Sequence, residues 1–225
     1  MSALAHFRKL GLALDPGARR IRADLRRVSG YLQPAERVLD LGSGTAPYAP
    51  LFAHRHYVTA DLFADSDVRC DAAALPFADR AFDLVLCTEV LEHVPDPDVT
   101  LREIRRTMRS NGALVLTTPL TWGVHAEQDF HRWTESGLRR LLARHEFQVV
   151  ELRPRGGVLL CFGALLLTLP WQLFGEARQR KGWQTVMFAA LYAIAMPVAL
   201  VLAALDPLDH RQHFTFGYVA LCRPA

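Results

Sequence analysis

The stretch that decides the fold is RVLDLGSGTA, from Arg37 to Ala46, where a short apolar run ends in an acid and a glycine-spaced turn follows. Such a run is typical of a buried strand that delivers Asp40 to a ligand at its carboxyl end. Gly42 and Gly44 lack a Cβ, so the turn can adopt unusual dihedral angles and bring its backbone against a bound molecule. The stretch favours a nucleotide-like cofactor, and a tight strand-to-helix turn without a ligand is the alternative.

A second short apolar run, from Tyr57 to Ala60, ends at Asp61. An acid in this place can accept hydrogen bonds from ribose hydroxyls. These two strands alone would also suit a nicotinamide dinucleotide. However, Pro47 stands where the dinucleotide fingerprint has its third glycine, which weakens that interpretation.

The segment from Cys70 to Pro97, CDAAALPFADRAFDLVLCTEVLEHVPDP, is more specific. With the preceding motifs it resembles the class I S-adenosylmethionine-dependent methyltransferases, in particular the type-11 subgroup. Four motifs follow the family's order: an acidic glycine loop, an acid after the second strand, Asp-x-x-x-Leu-Pro-Phe, and Phe-Asp-x-Val followed by Leu-Glu-His-Val. The resemblance covers roughly Arg37 to Arg153 and is specific as a set, because each motif alone is weak evidence.

The resemblance implies S-adenosylmethionine as the cofactor. It places Asp40 and the glycines at the methionine end, Asp61 at the ribose hydroxyls, and Asp71 with the Ala72 backbone at the adenine amino group. The end of the fourth strand would lie near the sulfonium and its amino acid. The cofactor-binding set that it implies is Asp40, Gly42, Ser43, Gly44, Asp61, Leu62, Asp71, Ala72, Cys87 and Thr88.

The sequence departs from the family pattern in two places. Ala46 stands where many relatives have a third glycine, and we expect its methyl group to be accommodated. Ser110, Asn111 and Gly112 replace the usual Pro-Gly-Gly before the fifth strand, and Asn111 with Gly112 still makes a good turn pair.

The alternation of apolar runs and amphipathic stretches predicts an α/β fold, a doubly wound and mostly parallel Rossmann-like sheet with helices on both faces. We expect helices at Asp98 to Met108 and Glu135 to Arg144. In the family that the chain resembles, the last strand enters antiparallel beside its predecessor. The expected strands are Val38 to Asp40, Tyr57 to Ala60, Phe82 to Cys87, Ala113 to Thr117, Gln148 to Leu152 and Gly217 to Cys222.

With 225 residues the chain is long enough for one well-buried α/β core. We divide it into basic amphipathic N-terminal helices (1–34), a cofactor-binding methyltransferase core (35–155), an apolar helical hairpin (156–205) and the final strand (206–225). The net charge of +3 is too small to suggest nucleic acid. The four cysteines have no metal-ligand or CxxC spacing, so we expect no metal site and a reducing cytosol.

Basic residues concentrate in the amino-terminal segment, with apolar residues at near-helical spacing between them. Asp15, Pro16 and Gly17 interrupt this pattern, which indicates two amphipathic helices. The segment lacks the pattern of a secretory signal. Adhesion to anionic lipid and a solvated helix over the substrate cleft are both open interpretations.

Neither Gly156 to Gly175 nor Gly182 to Leu205 contains a charged residue, and only six residues separate these segments. Each approaches the thickness of a bilayer, which favours a membrane hairpin whose two ends return to the cytosol. Spanning would place the basic linker on the far side while Arg153 and Arg155 flank the cytosolic start, so a shallow re-entrant or in-plane hairpin fits the charges better. A soluble lid or a homodimer interface is the alternative.

The segment after the fifth strand, TPLTWGVHAEQDFHRWT from Thr118 to Thr134, is expected to build the acceptor side. Its candidate catalytic bases are His125, Asp129 and His131, each of which is alternatively a structural loop residue. Thr134 fits a helix cap, and Arg132 could hold an anionic group. The preceding Glu92 and His93 match the Leu-Glu-His motif, and we interpret His93 as architectural or pocket-lining.

The hypothesis is a methyltransferase at the cytoplasmic face of the cell membrane, with its catalytic domain in the cytosol, acting on a lipophilic or lipid-linked small molecule. A quinone-like, polyprenyl-linked or glycan-lipid acceptor would suit it. Two alternatives stay open: a soluble small-molecule methyltransferase whose hairpin is a dimer interface or lid, and a non-catalytic membrane scaffold that binds the cofactor.

Overall fold

The computed structural model describes residues 16–124, 126–175 and 180–225. The chain divides into two compact units. Within the described ranges, the helical unit covers residues 16–22, 154–175 and 180–216, and the sheet unit covers residues 23–124, 126–153 and 217–225. The first of the two expected amino-terminal helices, and His125, lie outside the described residues.

The sheet unit contains a seven-stranded sheet in the order β3-β2-β1-β4-β5-β7-β6. Its strands are β1 (Ala35–Leu41), β2 (His54–Asp61), β3 (Val68–Arg69), β4 (Phe82–Thr88), β5 (Met108–Pro119), β6 (Phe147–Pro154) and β7 (Gly217–Pro224). The pairs β1–β2, β1–β4, β2–β3 and β4–β5 are parallel, whereas β7 runs antiparallel to β5. The predicted mostly parallel sheet with a final antiparallel strand is therefore confirmed.

The central strands are apolar because the sheet is covered on both faces. In β1, Val38 and Leu39 are fully buried, as are Val85 and Leu86 in β4. Three helices accompany the strands: α1 (Pro16–Ser29), α2 (Pro97–Thr107) and α3 (Glu135–Arg144). The predicted cap at Thr134 is confirmed, since its hydroxyl accepts a hydrogen bond from the Gly137 amide at 3.2 Å.

The structure differs from the sequence prediction at the start of β5. Met108, expected to end a helix, already pairs with Phe82 of β4, and the next paired residues are Ala113 and Leu84. The chain thus advances five residues on β5 against two on β4, so the expected turn is an irregularity within the strand. Gly112 is required there, because a Cβ would lie 2.6 Å from the Met108 Cγ.

In the helical unit, the uncharged segments form α4 (Val158–Phe174) and α5 (Gly182–Leu205), which pack against each other. Gly163 of α4 lies against Ala199 of α5, where a Cβ on the glycine would lie 3.1 Å from the alanine carbonyl oxygen. Within the described part of the chain, one helical stretch, Gly182–Leu208, has the length and composition of a membrane-crossing segment, and α4 is shorter.

Two acids that follow α5 close the base of this helix pair. The Asp206 carboxylate accepts hydrogen bonds from the Gly157 and Leu160 amides, the shortest at 2.8 Å. The Asp209 carboxylate accepts one from the Val158 amide at 2.9 Å. These acids satisfy amide groups at the start of α4 that have no partner within the helix, so the two ends of the pair are joined.

Candidate functional site

The carboxyl ends of β1, β2 and β4 meet at one edge of the sheet, and a pocket of about 390 Å³ lies there. Five residues of the expected cofactor set line it: Gly42, Asp61, Leu62, Asp71 and Ala72. Its size falls within the range of small-molecule sites. A larger polar groove of about 770 Å³ is lined by the ends of α2 and α3 and by Asp79 and Arg80. It contains none of the expected site residues.

The glycine loop takes conformations that favour glycine. Gly42 has a φ of 67° and Gly44 a φ of 54°. A Cβ on Gly42 would lie 2.3 Å from the Val90 Cγ2, whereas a Cβ on Gly44 would have no atom within 4 Å. Gly42 is therefore needed for conformation and close packing, and Gly44 for conformation alone.

Asp61 ties the second strand to this loop. Its carboxylate accepts hydrogen bonds from the amides of Gly44 at 2.9 Å and of Phe63 and Ala64 at 2.8 Å each. Burial raises the pKa of Asp61, but these backbone hydrogen bonds outweigh it and lower the pKa below its ordinary value. The side chain thus carries a stable negative charge at the pocket.

Asp40 has a different environment. It is 1% exposed, and its Oδ2 accepts a hydrogen bond from the Tyr57 hydroxyl at 2.7 Å. Burial is the main cause that raises the pKa of Asp40 to about 6, and the negative charge of Asp61 also raises it. The hydrogen bond from Tyr57 lowers this pKa but does not cancel the effect of burial. In the described structure, the side-chain hydrogen-bond partner of Asp40 is therefore a tyrosine of the neighbouring strand, and Asp40 is not among the described residues that line the pocket.

Two further residues of the loop bear on a ligand. Ser43 is 4% exposed, and its hydroxyl has no hydrogen-bond partner among the residues that the structure describes. A buried hydroxyl without a partner is costly, so a polar ligand group would stabilise it. Ala46 has a φ of 51°, so the methyl group at this family glycine position sits in a left-handed conformation. That conformation costs about 1 to 2 kcal/mol.

At the end of β4, Cys87 and Thr88 are buried, and neither is among the described residues that line the pocket. Val90 and Glu89 line it instead, and Glu89 has a φ of 54°. Its carboxylate accepts a hydrogen bond from the Thr117 hydroxyl at 2.8 Å. The sequence prediction missed Glu89, for which the only available signal was its place directly after a buried strand.

Of the three expected catalytic residues in the acceptor-side loop, the structure describes Asp129 and His131. Asp129 is bound by the guanidinium of Arg132 through two hydrogen bonds, one of them 2.8 Å long. The Nε2 of His131 lies 3.4 Å from the Pro95 carbonyl oxygen, and its ring contacts Trp133. Neither Asp129 nor His131 is among the described residues that line the pocket.

His93 does line the pocket, as expected, and its Nδ1 lies 2.5 Å from the carbonyl oxygen of Gln128. The main-chain oxygen of Glu92 accepts hydrogen bonds from the amides of Phe130 and His131. The Leu-Glu-His motif therefore anchors the acceptor-side loop to the end of β4, which agrees with an architectural interpretation of His93.

The residues present fit a cationic nucleoside ligand. The acidic residues Asp61, Asp71 and Glu89 line the pocket. In the neighbouring glycine loop, the buried Ser43 hydroxyl has no hydrogen-bond partner among the described residues. S-adenosylmethionine carries a sulfonium and an ammonium group, which acidic side chains stabilise. In the described part of the chain, no group of three or more His, Cys, Asp or Glu residues could hold a metal ion.

Solved structures share this fold. A putative methyltransferase from Bacillus halodurans has a TM-score of 0.57 at 17% identity, covering 91% of this chain and 99% of that chain. The 1,6-didemethyltoxoflavin-N1-methyltransferase of Burkholderia thailandensis, solved with bound 1,6-didemethyltoxoflavin and S-adenosylhomocysteine, has a TM-score of 0.50 at 23% identity, covering 67% of this chain and 76% of that chain.

Relatives by sequence match the core of the chain. The ubiquinone/menaquinone biosynthesis C-methyltransferase of Xanthomonas campestris pv. campestris is 34% identical over 107 residues, 37% of this chain and 42% of that protein. An uncharacterized methyltransferase of Mycobacterium sp. (strain JLS) is 34% identical over 110 residues, 42% and 44%. The chain thus spans less than half the length of these relatives. The methyltransferase domain model matches residues 15–152, more than half of the chain, so the chain belongs to the methyltransferase domain family.

Proposed function

We propose that this chain is an S-adenosylmethionine-dependent methyltransferase that acts at the cytoplasmic face of the membrane on a lipophilic or lipid-linked small molecule. The cofactor part is supported by the family match and by the acid-lined pocket at the end of β1, β2 and β4. The membrane part is supported by the apolar surface of α4 and α5.

That surface is the observation that carries the acceptor class. Phe162 and Leu165 of α4 and Ile194 and Val201 of α5 are each 45% or more exposed, on helices that contain no charged residue. An exposed apolar surface of this extent needs a partner, and lipid is the partner whose chemistry matches it. A lipophilic acceptor dissolves in the same phase. The quinone-biosynthesis names of the curated relatives support this acceptor class.

For this reaction the chain has to bind the cofactor and align the acceptor with it. When bound, S-adenosylmethionine supplies a methyl group that its sulfonium already activates, so the enzyme must hold an acceptor atom in line with the leaving sulfur. Asp61 and Asp71 would hold the ribose and adenine, and the glycine loop the methionine end. Glu89 lies at the end of β4, beside Thr117 of β5.

A base is needed only where the acceptor atom must lose a proton. His125, Asp129 and His131 remain our candidates, since all three lie in the loop after β5. Both Asp129 oxygens accept hydrogen bonds from Arg132, so this acid would act only after that ion pair opens. The proposal for the acceptor does not depend on which of them serves.

The experiment that tests this function is incubation of the purified chain with methyl-labelled S-adenosylmethionine and a membrane lipid extract. We expect label in an organic-phase product, which mass spectrometry then identifies. The matched control is Asp61→Asn, which should reduce the labelled product. Label in an aqueous-phase product alone would contradict the lipophilic acceptor. Binding of the cofactor without any transfer of the methyl group would indicate a scaffold.

A further inference from the structure

We propose that α4 and α5 cross the bilayer together, so that the described end of the turn between them, Arg180 and Lys181, lies among the headgroups of one leaflet and the base of the pair, Asp206 and Asp209, at the other. This inference rests on the proposed membrane association and goes beyond it. It concerns the topology, for which the charge pattern of the sequence alone favoured a shallow or in-plane arrangement.

The first observation is that neither helix has a polar face. On α5, Trp183, Met187, Ile194, Val198 and Val201 are each at least 43% exposed and follow helical spacing. This is the face on which a helix of a water-soluble domain carries its charges. A helix that lies in the membrane plane needs one polar side toward water. Because α5 is apolar all round, it fits a fully immersed position.

The second observation is length. The 24 residues of α5 span about 36 Å at about 1.5 Å per residue. The hydrocarbon core of a bilayer is about 30 Å thick. When the base of the pair lies at one interface, the start of α5 therefore reaches the other.

The third observation is the chemistry of the turn. Arg180 donates hydrogen bonds to the Gly175 carbonyl oxygen, and its guanidinium lies 3.5 Å from the Phe188 ring centroid and 4.9 Å from that of Trp171. Lys181 follows and is exposed. Aromatic and basic residues together are typical of a membrane interface, where the rings lie at headgroup level.

A shallow insertion conflicts with these residues. A re-entrant pair would leave Arg180 and Lys181 inside the hydrocarbon, which costs about 2.5 to 3.5 kcal/mol for each charge near the centre. Crossing completely places both cations beside lipid phosphates, and the acids at the base, Asp206 and Asp209, at the opposite interface. Two of the three chain connections to the sheet unit, at Pro154 and Phe216, lie within a few residues of that base in sequence.

The test is labelling of a cysteine introduced in the turn, in a background in which the half-buried Cys70 is replaced by Ser and the other three native cysteines are buried. Lys181→Cys is the first variant. Gly182→Cys is the second, since no atom lies within 4 Å of a Cβ there. The control is Asp65→Cys, at an exposed position of the sheet unit. Spheroplasts of an expressing bacterium are treated with a membrane-impermeant maleimide before and after lysis.

We expect both turn cysteines to react equally before and after lysis, and the control cysteine to react only after it. If the protein sediments with membranes but the turn cysteines react only after lysis, the turn is cytosolic. The crossing arrangement is then wrong while membrane association stands. If the protein remains in the soluble fraction without detergent, the membrane part of the proposed function fails as well.

Discussion

The Oδ2 atom of Asp61 accepts a hydrogen bond from the amide of Gly44 at 2.9 Å. One carboxylate therefore joins the end of β2 to the glycine loop that follows β1. Asp61 also lines the pocket. The same side chain therefore supplies the negative charge that would bind a ribose and holds the glycine loop that would bind the methionine end.

We expect Asp61→Asn to weaken S-adenosylmethionine binding about tenfold to a hundredfold, since hydrogen bonds to a charged group contribute about 1.5 to 3 kcal/mol. Calorimetric titration of both forms measures this. The matched control is Asp65→Asn, at an exposed position four residues further on. Equal affinity of the Asp61→Asn form and the wild type would remove Asp61 from the cofactor site.

The two loop glycines should differ in their tolerance of alanine. At both positions an alanine would have to adopt a left-handed conformation, which costs about 1 to 2 kcal/mol. Only the alanine at position 42 would also place its Cβ in a steric clash with Val90. We expect Gly42→Ala to lose more thermal stability and cofactor affinity than Gly44→Ala. Adding Val90→Ala should recover part of the loss in the first variant and none in the second. Equal losses in both single variants would show that the collision with Val90 does not matter.

Asp40 should make stability depend on pH. Burial raises the pKa of Asp40 to about 6, so between pH 4 and 6 the folded state binds a proton that the unfolded state has released. The contribution of Asp40 to the free energy of unfolding is therefore fully present at low pH and is lost as the pH rises through about 6. The loss is of the order of 3 kcal/mol. Asp40→Asn cannot titrate and should lack this loss.

Urea unfolding of the wild type and of Asp40→Asn at several values between pH 4 and pH 7.5 measures that difference. We expect the stability of the wild type to fall relative to that of the variant as the pH rises. Parallel profiles would mean that the buried carboxyl group has an ordinary pKa.

Glu89→Gln should show how the negative charge of the pocket affects binding while the shape of the pocket is kept. The substitution keeps the size of the side chain and removes one negative charge. This loss of charge weakens the binding of a cationic ligand more than that of a neutral one. We expect the affinity for S-adenosylmethionine to fall more than that for S-adenosylhomocysteine, which lacks the sulfonium. His131→Ala, outside the lining, is the control and should leave both affinities unchanged. An identical loss for the two ligands would exclude an effect on the sulfonium.

Polar substitutions on the helix pair should release the protein from membranes only where they are exposed. Leu165, Leu169, Val198 and Val201 are between 43% and 57% exposed, whereas Leu167 and Ala199 are buried. We expect glutamine at the four exposed positions to move the chain to the soluble fraction with cofactor affinity retained.

The control for this measurement introduces glutamine at Tyr31, Val124 and Val150, which are at least 55% exposed outside the helix pair. This variant should remain with the membranes. Release by both sets of substitutions would point to a general loss of folding.

The fold was predictable because its signals are local. Buried parallel strands are continuous apolar runs, and the acids at Asp40 and Asp61 end two of them, so strand positions and the cofactor edge follow from the sequence. The strand β3, with only Val68 and Arg69, is too short to show a period. The run through Gly112 was not predictable because its irregular pairing depends on β4.

The site was predictable only in part. Gly42, Asp61 and Asp71 lie at or just after strand ends and line the pocket, but the residues nearest the end of β4 that line it are Glu89 and Val90 rather than Cys87 and Thr88. This difference arises because Glu89 turns the chain with a positive φ, which periodicity does not encode. The partners of Asp129 and His93 come from tertiary contacts.

The most direct test of the central claim, that the edge formed by β1, β2 and β4 is an S-adenosylmethionine site, is titration of the unmodified chain with that cofactor and, separately, with a nicotinamide dinucleotide. The account expects saturable binding of one S-adenosylmethionine per chain and no binding of the dinucleotide. Absence of binding by S-adenosylmethionine, or tighter binding of the dinucleotide, would contradict it.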